Sequence, residues 1–347
     1  MSSTHLSMQG CTITPSDVMK CSGIGLTKEM LPYVPGQVVV GTIEVVGSKA
    51  NSYFKTGDRV IGMVESGGCQ RFLSAKADNF VSVPPKMSNT TALSLMNDWM
   101  PAYKALRVAK NYLKGANLFE RKVLITNAIS PIGQAAIHLA NMEGANIYCC
   151  AEVSHHEYLQ TLSPRIKCLE LQPEKWSSET TDSMHVVIDN ACVDGYSSSW
   201  DAIAYNGVLI ALPSDMYDDT KLFGVYDVED IRRKLHFKKA KFFMYRTIAL
   251  DMEEEYKLDT TWEKSTGIVD KLKNHLFSGK EGRAMYMQDF QHLAFMHEEG
   301  QINIKAGERI TLQDGWVLDS AQKLFKRERT SVQEGTVVCF PWKLSDQ

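Results

Sequence analysis

Residues 122–151 read KVLITNAISPIGQAAIHLANMEGANIYCCA. The opening Lys122-Val-Leu-Ile-Thr-Asn-Ala128 is a β-branched run, and the Ile129–Asn141 stretch that follows carries apolar residues at helical spacing. After Gly144 a second apolar run begins, Asn146-Ile-Tyr-Cys-Cys-Ala151. Strand, helix and strand in so short a span have the length and order of a parallel βαβ crossover. The alternation continues with His185-Val-Val-Ile-Asp189 as strand, Ser199-Trp-Asp-Ala-Ile-Ala-Tyr205 as helix and Gly207-Val-Leu-Ile-Ala-Leu212 as strand. Repeated alternation of this kind predicts a doubly wound α/β domain.

Upstream the texture is different. From Pro35 to Val83 the chain breaks into short β-like runs, VVVGTIEVVG, GDRVIGMV, QRFLSA and FVSV, separated by turn residues. That spacing predicts a compact antiparallel barrel or sandwich. Residues 87–114, MSNTTALSLMNDWMPAYKALRVAKNYLK, then take on helical period behind a Ser88-Asn89-Thr90 cap and bridge the two regions. Beyond Ser214 the pattern is harder to read. It holds a basic run, Arg232–Lys241, offset by the acidic Glu253–Glu255, and a helical segment near Ser265–Phe277. Phe242-Phe-Met-Tyr245 reads as core or dimer contact. A helix near Gly315–Lys326 and the strand Gly335-Thr-Val-Val-Cys-Phe340 restore regular texture with no linker before them, so the C-terminus is expected to pack back onto the barrel.

Composition bounds the function. The chain has 347 residues, about two domains' worth. Its 38 basic and 41 acidic side chains leave a net charge of −3, too little positive field to draw it to nucleic acid or an acidic membrane. The eight cysteines form no C-x-x-C pair, which argues against a disulfide framework or zinc-finger spacing and for a reducing compartment. With neither an apolar leader region nor a membrane-length apolar run, the chain reads as soluble and cytoplasmic.

Four segments carry a family resemblance: Thr14-Pro-Ser-Asp17; Val34–Gly47 together with Phe54-Lys-Thr-Gly-Asp-Arg-Val60; Asp78–Leu106; and Val123–Ala151. In these the chain resembles the medium-chain dehydrogenase/reductase superfamily, in its zinc-free quinone oxidoreductase-like and enoyl reductase branch. The resemblance implies an α/β protein with a GroES-like β-barrel domain at 1–105 and 300–347 and a Rossmann nucleotide-binding domain at 106–299. It also implies a homodimer. One departure is that only thirteen residues precede Thr14, fewer than the β-rich lead of relatives, so the barrel is expected to lack its opening hairpin or the sequence to be truncated.

Zinc-bearing members of the superfamily hold a catalytic metal through Cys, His and Cys. The matching positions are Thr14, Gln37 and Asn97, none a good zinc ligand, so no metal is expected there and the cysteines read as scattered free thiols. Either the three line the cleft and hydrogen-bond a carbonyl substrate, or they are polar fillers of a relaxed site. The phosphate-binding turn corresponds to Ala128-Ile129-Ser130-Pro131-Ile132-Gly133, with Gly133 as the packing glycine and Ser130 where the glycine nearest the phosphate belongs. After the second strand, Glu152 points toward NAD, whereas Ser154, His155 and Tyr158 resemble the NADP set of quinone reductases; His155-His156 reads equally well as a solvated helix start. Asp189 and Pro213 fall at strand ends that border the cofactor in relatives. Pro101 stands where relatives have a threonine near the nicotinamide, Asp17 is expected to cap a helix, and no tyrosine proton donor is evident after Asp17.

Two functions remain in view. The first is a metal-independent reductase that uses NADPH, with NADH as the alternative, on an enone, enoyl or quinone substrate. The second, prompted by Ser130, Pro101 and the short N-terminus, is a non-catalytic homologue with a binding or structural role.

Overall fold

The computed structural model describes residues 3–22, 32–47, 54–115, 117–191, 194, 196–212, 238–244, 256–257, 279–305, 307, 309–311 and 335–340. The chain divides into two compact units. One takes the described residues of Met1–Met100 and Val269–Gln347, and the other those of Pro101–Arg246 and Glu254–Ile268.

The first unit is a seven-stranded sheet. Its strands are β1 (Ser3–Thr12), β2 (Val38–Val45), β3 (Arg59–Met63), β4 (Phe72–Lys76), β5 (Phe80–Ser82), β13 (Arg309–Thr311) and β14 (Val338–Phe340). They run in the order β13-β14-β1-β2-β3-β5, with β4 also paired to β1. The C-terminal strand thus lies on β1 in antiparallel register, Cys11 opposite Cys339, and the expected return of the C-terminus to the barrel is found. Strand β1 was not foreseen, although Leu6 and Met8 point into the core while His5, Ser7 and Gln9 do not, the period-two pattern of a half-buried strand. The Gly-Asp-Arg-Val motif has a structural purpose. Arg59 Nη2 donates to the carbonyls of Pro84 and Met87, both at 2.7 Å, clamping the chain as it leaves β5.

Helix α1 (Pro15–Cys21) follows β1. Past β5, α2 (Asn89–Ser94) starts at Ser88, whose hydroxyl accepts from the Thr91 N–H as the cap reading requires. A π turn, Leu95–Trp99, then leads directly into α3 (Met100–Tyr112), and in it the Met100 N–H reaches back five residues to the Leu95 carbonyl. Pro101 accounts for this widening. It has no N–H to offer and its ring would press on the carbonyl of Asn97, so the turn ahead of it opens. Helix α8 (Gly279–Glu298) groups with this unit as well, its Tyr286 hydroxyl on Met63 Sδ, so the return to the barrel unit begins before residue 300.

The second unit is a doubly wound sheet. In chain order it comprises β6 (Lys122–Ile125), α4 (Pro131–Met142), β7 (Asn146–Ala151), α5 (His156–Leu162), β8 (Ile166–Glu170), α6 (Pro173–Thr180), β9 (Met184–Asp189), α7 (Ser197–Ala202), β10 (Ile203–Ala211), β11 (Lys241–Met244) and β12 (Tyr256–Lys257). The sheet order is β12-β11-β10-β9-β6-β7-β8, parallel throughout except for β12. Strands β6, β7 and β8 progress toward one edge, and the chain then crosses to β9 on the other side of β6. The reversal between β6 and β9 is the switch point where doubly wound sheets open a crevice at their strand ends. Below it Leu124, Val187 and Leu209 pack with Trp176 and Trp200, all buried. Pro213, the basic run 232–237, the acidic 253–255 and the helical segments near 265–277 and 315–326 lie outside the described residues.

Candidate functional site

The crevice floor is built from the residues just past β6 and β9. Beyond β6 the chain turns through Thr126 and Asn127, the latter in the left-handed region at φ 45°, and reaches Ser130, the N-cap of α4. Ser130 Oγ accepts from the Gly133 N–H at 3.0 Å and from Asn190 Nδ2 at 2.7 Å. Asn190 in turn gives its backbone N–H to Thr126 Oγ1, whose own proton goes to Asp189 Oδ1 at 2.7 Å. Asp189 also accepts from the Ala191 N–H at 2.9 Å and from Ser199 Oγ at 2.6 Å. All these side chains are buried. The network ties the two strands at the switch point together and leaves a pocket of about 10 Å³ beside Thr126, Asp189, Ser199 and Trp176, room for roughly one water.

Ala128, Ser130, Pro131, Ile132 and Gly133 therefore come together as one turn, all buried. Gly133 is there for closeness: a Cβ would meet the Asn127 carbonyl oxygen at 2.6 Å and Ala128 Cα at 2.9 Å, both backbone. The donors facing an anion at the start of α4 are few. Pro131 has no N–H, and the Gly133 N–H is held by Ser130. What remains is the Ile132 N–H and the hydroxyl proton of Ser130, since Oγ acts only as acceptor in both of its bonds. Those two donors are what the turn could offer to a phosphate oxygen.

Past β7 the expected group separates. Glu152 and Ser154 are exposed, but His155 is 5% exposed and its Nε2 is buried without a partner among the described residues. His155 thus does not stand with Glu152 and Ser154 at the solvent face, and the solvated reading of the His-His pair fails too. His156 Nε2 lies 3.1 Å from the carbonyls of both Ala151 and Leu169, fastening the ends of β7 and β8. Tyr158 donates to Gln134 Oε1 at 2.8 Å, and Gln134 Nε2 donates to the Ile129 carbonyl at 2.7 Å, so this tyrosine braces the turn. Asp189, expected to border the cofactor, has its carboxylate engaged by the three internal donors described above.

On the barrel unit the trio is unequally committed. Thr14 Oγ1 donates to Asp17 Oδ2 at 2.8 Å and accepts from the Asp17 N–H, a reciprocal cap of α1. Asp17, fully buried, further accepts from Tyr33 Oη at 2.7 Å and the Gly36 N–H at 3.0 Å. Burial and the neighbouring carboxylate push the Tyr33 phenol far above its usual range, which makes it a poor acid. Asn97, on the π turn, spends both amide hydrogens, on Asp98 Oδ1 at 2.8 Å and Thr336 Oγ1 at 2.7 Å. Among the described residues, only Gln37 of the three keeps a hydrogen in hand: its Nε2 makes one long bond, 3.4 Å to the Glu65 carbonyl. Sequence reasoning passed over Asp98. This buried carboxylate also accepts from the Thr336 hydroxyl and N–H, and burial raises its pKa to about 6 against the opposing effect of those bonds.

Residues 3–90 match the alcohol dehydrogenase GroES-like domain family. The quinone oxidoreductase-like protein 2 homolog of Nematostella vectensis is 28% identical over 215 residues, covering 60% of this chain and 57% of that protein. The chain therefore spans little more than half the length of that curated relative. The quinone oxidoreductase of Coxiella burnetii superposes with a TM-score of 0.70 at 18% identity, over 98% of this chain and 91% of that one. Mycobacterial Rv1454c, solved in complex with NADPH, superposes with a TM-score of 0.67 at 17% identity, over 98% and 92%. A GroES-like barrel and a doubly wound sheet on one chain are the fold of the medium-chain dehydrogenase/reductase superfamily. In sequence the chain is similar to quinone oxidoreductase-like proteins.

Proposed function

We propose that the protein is a reductase that binds NADPH at the α4 turn and acts on an enone, enoyl or quinone substrate without a catalytic metal. The observation that carries this reading is the turn itself. Thr126–Gly133 lies at the sheet's switch point, packed on a glycine that admits no side chain, with the Ser130 hydroxyl and the Ile132 N–H left to hold a phosphate. When bound, the nicotinamide supplies the hydride that an electrophilic carbon accepts. Relatives named quinone oxidoreductase and a fold neighbour that binds NADPH support the cofactor and substrate class. Of the three residues at the metal-ligand positions of zinc-bearing members, Gln37 has an amide hydrogen with no partner among the described residues, and its role is to donate to the developing substrate oxyanion. Thr14 and Asn97 hold the walls around it through their caps and bridges.

NADPH oxidation with 1,2-naphthoquinone and with a short enone tests the assignment. Loss of a single donor to an oxyanion costs about 10²-fold in kcat. Gln37→Ala is therefore expected to lower kcat by about that factor with NADPH affinity unchanged. Full turnover in that variant would remove Gln37 from the site.

A second reading draws on the spent donors of α4. Because Ser130 takes the Gly133 N–H and Pro131 has none, the turn holds an anion with fewer contacts than a glycine would allow, as a homologue kept for a binding or structural role would. NADPH bound without turnover of either substrate class would favour a binding role, and absence of nucleotide binding a structural one.

A further inference from the structure

Three cysteines remote in sequence meet in the barrel unit. Cys11 and Cys339 are directly opposed on the antiparallel strands β1 and β14, which places their side chains on the same face. Cys69 reaches them from the loop after β3. That loop is fastened to residues 34–36 by three backbone bonds: Gly67 N–H to the Val34 carbonyl, Gly68 N–H to Gly36 and Cys69 N–H to Pro35, at 2.8, 3.0 and 2.9 Å. The three sulfurs lie within 4.8 Å of one another, and Cys69 Sγ is 3.7 Å from Cys339 Sγ. Cys11 and Cys339 are fully buried and Cys69 is half-buried. The expectation of free thiols holds for the described cysteines, but these three are not scattered.

Two glycines stand against the cluster. A Cβ on Gly36, which holds φ +98°, would come to 3.0 Å from Cys11 Sγ, and one on Gly68 would come to 2.9 Å from Cys11 Cβ. Both glycines border the cluster where any side chain would close it. Two thiolates on one tetrahedral zinc, each bonded at about 2.3 Å, sit roughly 3.8 Å apart, close to the spacing of the Cys69–Cys339 pair. A disulfide would instead need the two sulfurs at about 2.05 Å.

We propose that Cys11, Cys69 and Cys339 form a three-sulfur site for a thiophilic d¹⁰ cation, Zn²⁺ or Cu⁺. Sulfur ligands select these soft ions over Mg²⁺ or Ca²⁺, and binding displaces the thiol protons. Zn²⁺ would complete its shell with a solvent ligand on the half-exposed Cys69 side, whereas Cu⁺ is satisfied by three sulfurs. The site uses none of Thr14, Gln37 and Asn97, and it would staple β14 to the first strand and to the loop after β3.

The test uses the full chain, reduced and stripped of metal. One arm titrates Co²⁺ as a spectroscopic stand-in for Zn²⁺ and follows sulfur-to-cobalt charge transfer. The other measures competition for Cu⁺ against a coloured chelator. The proposal expects one equivalent bound in at least one arm, and at least a tenfold loss of affinity in Cys69→Ser but not in Cys21→Ser. Cys69 is half-buried, so its variant is expected to fold, which circular dichroism verifies. Failure of both ions to bind overturns the proposal, as does binding that persists in Cys69→Ser. Loss of two free thiols in air, with no metal taken up after re-reduction, also overturns it.

Discussion

At the scale of single residues, the chemistry is decided by which donors are already spent. Thr14 and Asn97 sit at the positions the family resemblance marks, yet their hydrogens go to Asp17, Asp98 and Thr336, which leaves Gln37 as the available donor of the three. Asp98 titrates in an accessible range. Its folded pKa, about 6, lies above the ordinary value of 3.8, so the folded state binds this proton more tightly than the unfolded chain does. The stability it contributes is complete below the unfolded pKa and is lost as pH rises through the folded one. Relative to Asp98→Asn, which cannot titrate, the wild type is expected to gain as pH falls from 7 to 4, by roughly 2 kcal/mol. Denaturant melts of both proteins across that range check it, and a constant difference would mean that Asp98 has the same pKa in the folded and unfolded chains. None of this was legible from sequence, because Asp98 acquires its partner Thr336 from the far end of the chain.

At the scale of elements, periodicity was informative and local exceptions were not. The apolar runs at 123–125, 147–151 and 186–188 announced buried parallel strands, and the helical spacing of 131–142 announced the crossover between the first two. Strand β1 was missed because its alternation is short, with Leu6 and Met8 set between His5, Ser7 and Gln9. The π turn was missed because nothing in a helical pattern shows how Pro101 will be accommodated. The turn at Gly133 was read correctly as a packing position, and the structure gives the reason: the obstacle to a side chain is backbone, which cannot rotate away. Gly133→Ala is accordingly expected to destabilise by about 1–3 kcal/mol, the usual cost of overpacking, by pushing α4 off the β6 turn. Unchanged thermal stability in that variant would show that the turn has slack that the contacts deny. The Thr126–Asp189–Asn190–Ser130 network had one faint signal, the Asp189-Asn190 pair at a strand end. Its partners lie some sixty residues away, beyond local pattern.

At the scale of the whole molecule, the two-part organisation was visible in the change from short β runs to strand–helix alternation, and the discontinuous barrel in the absence of a linker before the C-terminal strand. The convergence of Cys11, Cys69 and Cys339 was invisible, because only the assembled sheet brings three widely separated positions together. The central claim is that the α4 turn holds a nicotinamide dinucleotide despite Ser130, and it is tested most directly by thermal unfolding with NADPH and with NADH. Ligand at about one hundred times its Kd adds roughly 2.7 kcal/mol to the folded state. In a chain of this size that raises the melting temperature by several degrees. The account predicts such a rise with 1 mM NADPH, about 100 Kd for a Kd of roughly 10 μM, and a smaller one with NADH. An unchanged melting temperature with both nucleotides at millimolar concentration would contradict it.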